Sequence, residues 1–242
     1  MRIWREGREL ELREIALPIV SRAAGCPLEI EIGFGKGRFL VAQAAARQGT
    51  RFLGIESAPT YWRLASRRAA RRGLLNLVTV CGDALYVLAA CLERGCASTV
   101  HIYFPDPWPK IRHRRRRLLD EGTVDLVLGA LEPGGVLYFA TDHVDYGEAV
   151  RDVLARHPGV SVECVEGPWP DGPRTNYEVK YQREGRPILR LRVTRRAPAG
   201  ASMLHPDGVA EVAAGWAPEG HRSAPPAAEP GTEPWARTCL AW

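Results

Sequence analysis

The chain has no C-x-x-C pair and no His/Cys spacing of the kind that holds a structural zinc, although it has six cysteines, at 26, 81, 91, 96, 164 and 239. No metal is therefore expected, and the cysteines read as reduced, mostly buried thiols. No run of apolar residues is long enough to span a bilayer, and the first residues carry Arg2, Arg5, Glu6, Arg8, Glu9 and Glu11 where a secretory leader has an apolar stretch. The expectation is a cytoplasmic protein with no membrane partner. Lysine is scarce, at 36, 110 and 180 only, so the net charge of +5 is carried almost wholly by arginine. That excess points only weakly to a polyanionic partner, because much of it sits in one stretch.

What is present is the composition of an ordinary globular protein, 45% hydrophobic and 25% charged over 242 residues, which is enough for one well-buried core. The texture divides the chain into an N-terminal arm at 1–27, a folded domain at 28–197 and a tail at 198–242. The tail, with Ala224-Pro-Pro-Ala-Ala-Glu-Pro-Gly-Thr-Glu-Pro234, has too little apolar area to fold as a domain. Trp216, Trp235 and Trp242 are its candidate docking residues.

Within the domain, short strands alternate with helices. Strands are expected at Leu28–Ile32, Arg51–Glu56, Leu77–Cys81, Ser98–Tyr103, Val136–Ala140 and Val160–Val165. Helices are expected from the glycine turn after Ile32 to about Arg47, from Thr60 to Arg72, from Leu118 to Leu131 and from Asp145 to Arg156. The alternation implies an α/β fold, a doubly wound Rossmann-like and mostly parallel sheet. In such sheets ligands sit beyond the carboxyl ends of the strands. Glu31, Glu56, Asp83, Asp106 and Asp142 all fall at or just past a strand end, and five acids in register mark a site.

Glu31-Ile-Gly33-Phe-Gly35-Lys-Gly37 has G-x-G-x-G spacing rather than the dinucleotide fingerprint, and a carboxylate stands where a pyrophosphate would be repelled. Glu56, ending the next strand, can accept hydrogen bonds from both ribose hydroxyls, and Asp83 can accept from an adenine amino group or cap the following helix. An adenosine held by acids beside a further carboxylate suits a cationic cofactor without phosphate. S-adenosylmethionine is such a molecule, so the motif favours a class I methyltransferase over a dehydrogenase.

The run Tyr103-Phe-Pro-Asp-Pro-Trp-Pro-Lys110 then places Asp106 in a turn stiffened by three prolines, directly before Ile111-Arg-His-Arg-Arg-Arg-Arg117. A charge run needs no such preface. Lys110, Arg112 and Arg114 to Arg117 put six cations within eight positions. His113 reads as a hydrogen-bonding member of this patch, His143 as a helix-start hydrogen-bonder, and Trp108 as either a base-stacking platform or packing for the turn.

Pro105-Asp-Pro-Trp-Pro-Lys110 with its arginine run, the Glu31 glycine turn, Gly54-Ile-Glu56, Gly82-Asp83-Ala84, Thr141-Asp142 and Thr175-Asn-Tyr-Glu178 together resemble the bacterial tRNA (guanine-N7-)-methyltransferase family. The resemblance covers about residues 5 to 195. It implies a seven-stranded sheet with the last strand antiparallel. It implies that Glu31, Gly33, Gly35, Glu56, Asp83 and Asp106 bind S-adenosylmethionine, with Asp106 also catalytic. Lys110, Asp142, Thr175, Asn176, Tyr177 and Glu178 would bind the substrate nucleotide, and Arg112, His113, Arg114, Arg115, Arg116 and Arg117 the RNA. The implied product is 7-methylguanosine in the variable loop of tRNA. The other readings open to the residues are a class I methyltransferase acting on another RNA or a small molecule, and a noncatalytic RNA-binding protein of the same fold. Monomer and homodimer are both compatible with the sequence.

Overall fold

The computed structural model describes residues 1–20 and 25–197; the tail beyond 197, with its three tryptophans, and Cys239 lie outside the described residues. Five strands form the parallel centre of one sheet: β3 (Leu28–Ile32), β4 (Arg51–Glu56), β5 (Leu77–Cys81), β6 (Ala97–Tyr103) and β7 (Leu131–Thr141). Strand β9 (Leu189–Arg195) runs antiparallel between β7 and β8 (Val160–Cys164). The last strand is thus antiparallel, as the resemblance implies. The full order is β2-β1-β5-β4-β3-β6-β7-β9-β8. Strand β3 pairs with β4 on one side and β6 on the other, so the order of connection reverses there, and the loops after β3 and β6 open a crevice between them.

Two strands were not expected. β1 (Arg2–Arg5) and β2 (Arg8–Glu11) form a hairpin that adds to the edge of β5, so the segment read as an arm extends the sheet from seven strands to nine. Only Ile3 and Trp4 of this hairpin are buried, and two apolar residues among charged ones give no strand periodicity.

The helices that matter for the site are α1 (Arg38–Ala46) after β3, α2 (Pro59–Arg71) after β4, and the short α3 (Ala84–Tyr86) after β5. They are followed by α4 (Val124–Ala130), α5 (Val144–Arg156) and α6 (Asn176–Arg183). The helix expected from Leu118 starts only at Val124. Thr123 donates its hydroxyl to the Leu118 carbonyl at 2.8 Å and accepts from the Asp120 N–H at 3.0 Å, closing a turn where the helix would have begun. Strand β7 starts earlier than expected, at Leu131, with a register shift opposite Ala97 and Thr99. Among the described residues the cysteines are free thiols, buried at 26, 91 and 96, intermediate at 81 and exposed at 164.

Strand β3 is buried along its whole length although it reads Leu-Glu-Ile-Glu-Ile. Side chains alternate, so Leu28, Ile30 and Ile32 enter the main apolar core while Glu29 and Glu31 face the other side. Glu29 is fully compensated there. Arg47 grips both its oxygens at 2.6 and 2.7 Å, and His101 Nε2 lies 3.0 Å away. Burial alone would raise its pKa, but the hydrogen bonds from His101 and Arg47 prevail and hold it at about 2. Burial lowers the pKa of His101, so the ring is neutral. Its Nε2–H then donates to Glu29, and Nδ1 accepts from the Tyr103 hydroxyl at 2.8 Å.

Candidate active site

The glycine turn after β3 is left-handed at Gly33, Gly35 and Gly37, with φ of 74°, 53° and 68°. A β-carbon on Gly37 would also stand 2.7 Å from that of Ala65, so glycine there lets α1 and α2 approach. Glu56 latches this turn to the next one: its carboxylate accepts the Gly35 N–H at 2.8 Å and the Ala58 N–H at 2.9 Å. It keeps lone pairs for further donors. Asp83 caps α3, accepting the Tyr86 N–H at 2.8 Å through one oxygen.

Glu31, on the same face of β3 as Glu29, lacks the partners that Glu29 has. It is 3% exposed, and its Oε2 has no hydrogen-bond partner. Burial raises its pKa; the main-chain bond at Leu40 lowers it and the charge of Glu56 raises it again, to about 8. An acid held neutral at pH 7 by burial, with an orphaned oxygen, is the condition of a group that awaits a cation.

Glu31 opens onto a cavity of about 250 Å³. Of the cofactor and nucleotide residues expected at the site, Gly33, Gly35, Thr175, Asn176 and Tyr177 line it too, while Glu56, Asp83, Asp106, Lys110, Asp142 and Glu178 do not. Its wall also includes Arg38, Tyr61, Phe104 and Lys180, none of which was named as a site residue from the sequence. A signal existed for the last: Tyr177, Lys180 and Tyr181 share one face of α6 at helical spacing, and Tyr181 meets the edge of Phe104 at 5.5 Å.

Asp106 is exposed, in the loop after β6. Two non-glycine residues with positive φ bracket it, Phe104 at 53° and Trp108 at 41°, so the loop holds a conformation that costs free energy and that its surroundings must enforce. One enforcer is Arg117. Its Nε donates to the Pro107 carbonyl at 2.8 Å and its guanidinium lies 4.6 Å from the Tyr146 ring centroid. Arg117 is accordingly buried, at 7% exposure, and this corrects its placement among the RNA-facing cations. Lys110, Arg112, Arg114, Arg115 and Arg116 remain exposed on and before a 3-10 turn spanning Ile111–Arg116. Trp108 packs against this turn, with Arg116 over its ring at 5.0 Å and His113 edge-on at 5.7 Å. His113 also accepts from Arg112 Nε at 3.3 Å.

The segment before and into α6 is anchored from behind. Arg174 lies over Trp169 at 4.4 Å and Tyr138 at 4.6 Å and donates to the Tyr103 hydroxyl at 2.6 Å. This joins it to the Glu29–His101–Tyr103 chain under the cavity. Thr175 caps α6 by accepting the Glu178 N–H at 3.0 Å. Glu178 is a second correction. It is fully buried, accepts Arg190 Nη2 at 2.8 Å and Nε at 3.0 Å, and takes the Arg174 N–H at 2.8 Å, so its carboxylate is a strut and not a ligand for the nucleotide. Asn176 Oδ1 accepts from Arg38 at 3.2 Å, and Asp142 from Arg186 at 3.3 Å. His143 caps α5 by accepting the Tyr146 N–H at 3.3 Å.

A family model described as putative methyltransferase matches residues 26–191. A tRNA (guanine-N(7)-)-methyltransferase of Nitrosococcus oceani is 41% identical over 167 residues, covering 69% of this chain and 70% of the relative. One of Corynebacterium efficiens is 35% identical over 185 residues, covering 76% and 72%. Among solved structures, a 16S rRNA (adenine(1408)-N(1))-methyltransferase of Catenulisporales acidiphilia with SAM superposes with a TM-score of 0.54 at 20% identity, over 82% of this chain and 98% of that one. At that identity the likeness speaks for the Rossmann-like fold alone.

Proposed function

The chain belongs to the tRNA (guanine-N(7)-)-methyltransferase family, and from that premise we propose the following division of labour for its site. The reaction is methyl transfer from S-adenosylmethionine to N7 of a guanine in tRNA, here assigned to a guanosine of the variable loop. Such a substrate supports a cytoplasmic place of work. Among the described residues no helix is long and apolar enough to cross a membrane.

The observation that carries the reading is Glu31, a buried carboxyl with one unpartnered oxygen, opening onto a cavity whose wall combines the glycine turn and aromatic rings with Lys36, Arg38 and Lys180. S-adenosylmethionine, when bound, supplies a methyl group on a cationic sulfur and an ammonium group, with no phosphate for the carboxylates to repel. The donor set fits it. Glu31 would take the cationic end, Gly33 and Gly35 would let it approach the main chain, Glu56 would accept from the ribose, and Asp83 would turn its uncommitted oxygen to the base. The acceptor atom, guanine N7, has a lone pair and no proton, so no side chain has to remove one. Asp106 therefore works by position and charge, holding the guanine edge or stabilising the positive charge that N7 acquires. Thr175, Asn176 and Tyr177 would form the nucleotide side of the cavity, with Lys110 and Asp142 nearer its rim, and Lys110, Arg112 and Arg114 to Arg116 would meet phosphates.

Two outcomes follow for binding. A neutral Glu31 must ionise to meet a cation, so S-adenosylmethionine affinity is expected to rise with pH between 6 and 7.5, approaching its plateau as the pH passes the raised pKa of about 8. Calorimetric titration of Glu31→Gln beside the wild type checks this, and an equal rise in both would place the proton elsewhere. Replacing Arg114, Arg115 and Arg116 together by Ala should reduce the logarithmic salt slope of tRNA binding by about 2 to 3. An unchanged slope would return the run to plain surface charge.

The function itself is tested by incubating the protein with methyl-labelled S-adenosylmethionine and an unmodified tRNA transcript. Label recovered as 7-methylguanosine from the variable loop is expected. No incorporation would sink the reading, and label on an exocyclic nitrogen would replace it with another methyltransferase activity.

A further inference from the structure

Helix α2 carries a second cationic surface that the sequence showed only as an arginine-rich helix. Arg68, Arg71 and Arg72 follow one another at helical spacing on one face and, with Arg38 at the start of α1, line a groove of about 570 Å³ whose other wall includes Asn176. Among the described residues no acidic one lines it. Arg47, Arg156, Arg174, Arg186 and Arg190, by contrast, are each paired with a carboxylate. Arg38 and Arg68 are instead held by neutral acceptors, the Asn176 side chain at 3.2 Å and the Lys36 carbonyl at 2.6 Å, while Arg71 and Arg72 are exposed at the helix end. Four positive charges set around a groove without a counter-ion form a site for a polyanion.

Two features select its ligand. The groove shares Arg38 and Asn176, themselves joined by a 3.2 Å hydrogen bond, with the smaller cavity that Glu31 opens onto, so the two adjoin and a ligand in the groove lies next to the cavity. It also belongs to the β3–β5 half of the sheet, since α1 follows β3 and α2 follows β4, whereas the Lys110 to Arg116 run follows β6 on the other half. The two cationic surfaces therefore flank the crevice from different halves of the fold. We propose that the groove of Arg38, Arg68, Arg71 and Arg72 grips the sugar-phosphate backbone of the RNA strand next to the target nucleotide, as a second phosphate contact distinct from the basic run. This rests on the tRNA reading above. A nucleotide drawn from a folded RNA into a 250 Å³ cavity leaves its neighbours' phosphates at the cavity mouth, and without a clamp there the strand could slide past the methyl donor.

The test uses filter binding and methylation kinetics of the full chain on an unmodified tRNA transcript over 50 to 200 mM salt. Arg71→Gln/Arg72→Gln leaves the Arg68 bond to the glycine turn intact, and is expected to reduce the logarithmic salt slope by about 1 to 2 and to weaken low-salt binding by about fivefold or more. Adding Arg68→Ala should extend both losses, and lysine at 71 and 72 should restore the slope. A pair variant with wild-type Kd and slope would overturn the proposal. So would a weaker Kd with an unchanged slope, because phosphate contacts must show in the salt dependence. Failure of the functional reading is separate: the wild type would then not methylate the transcript at all.

Discussion

Asp106→Asn is expected to lower methyl transfer to tRNA by about 10²-fold or more while tRNA affinity stays within about threefold. The substitution keeps the size of the side chain and removes its charge. Nothing in the loop depends on that charge, because Phe104 and Trp108 set the backbone around it and Arg117 fastens it through the Pro107 carbonyl. The melting temperature should therefore not move. What is lost is a fixed negative charge at the moment guanine N7 becomes cationic, which is an interaction made in the transition state and seen in kcat rather than KM. Single-turnover rates with saturating S-adenosylmethionine and tRNA, beside Kd for tRNA, provide the check. Equal losses in rate and affinity would make Asp106 a binding element only.

Glu178→Gln should have the opposite signature. Glu178 is fully buried and Arg190 is 7% exposed, so neutralising the acid leaves a buried guanidinium without its counter-charge, at a cost of about 3–5 kcal/mol. For a domain of this size that corresponds to a fall in melting temperature of roughly 10 °C. Below the new midpoint the protein should still bind S-adenosylmethionine, because Glu31 and the glycine turn are carried by another part of the sheet. A thermal scan with circular dichroism measures it. An unchanged melting point with tRNA binding abolished would return Glu178 to the nucleotide side of the site.

These two acids mark where the sequence was legible and where it was not. Asp106, Glu31, Glu56 and Asp83 could be placed because crossover connections bring the ends of parallel strands to one rim, so a short-range pattern of strand, turn and acid carries three-dimensional information. The five parallel strands at the centre of the sheet followed from the same alternation, while the antiparallel last strand came from the family resemblance. Glu178 and Arg117 could not be placed. Each is polar in sequence, adjacent to residues that do face the site, and is turned inward by a single distant partner, Arg190 on β9 in one case and the Pro107 carbonyl with Tyr146 in the other. Tertiary pairing of this kind leaves no local trace. The β1–β2 hairpin was hidden for a related reason, since an edge strand buries too little to show a period. Tyr61 and the arginine groove were hidden because helical residues reveal which face they share but not what stands opposite.

The atom methylated is N7 of guanine. That claim is tested most directly with two tRNA transcripts that differ only in having guanosine or 7-deazaguanosine at the target position of the variable loop. The deaza base keeps the N1–H and N2–H edge that Asp106 would hold but has a carbon in place of N7. The account predicts methyl incorporation into the first transcript, none into the second, and comparable affinity for both. Methylation of the 7-deaza transcript at that nucleotide would contradict it.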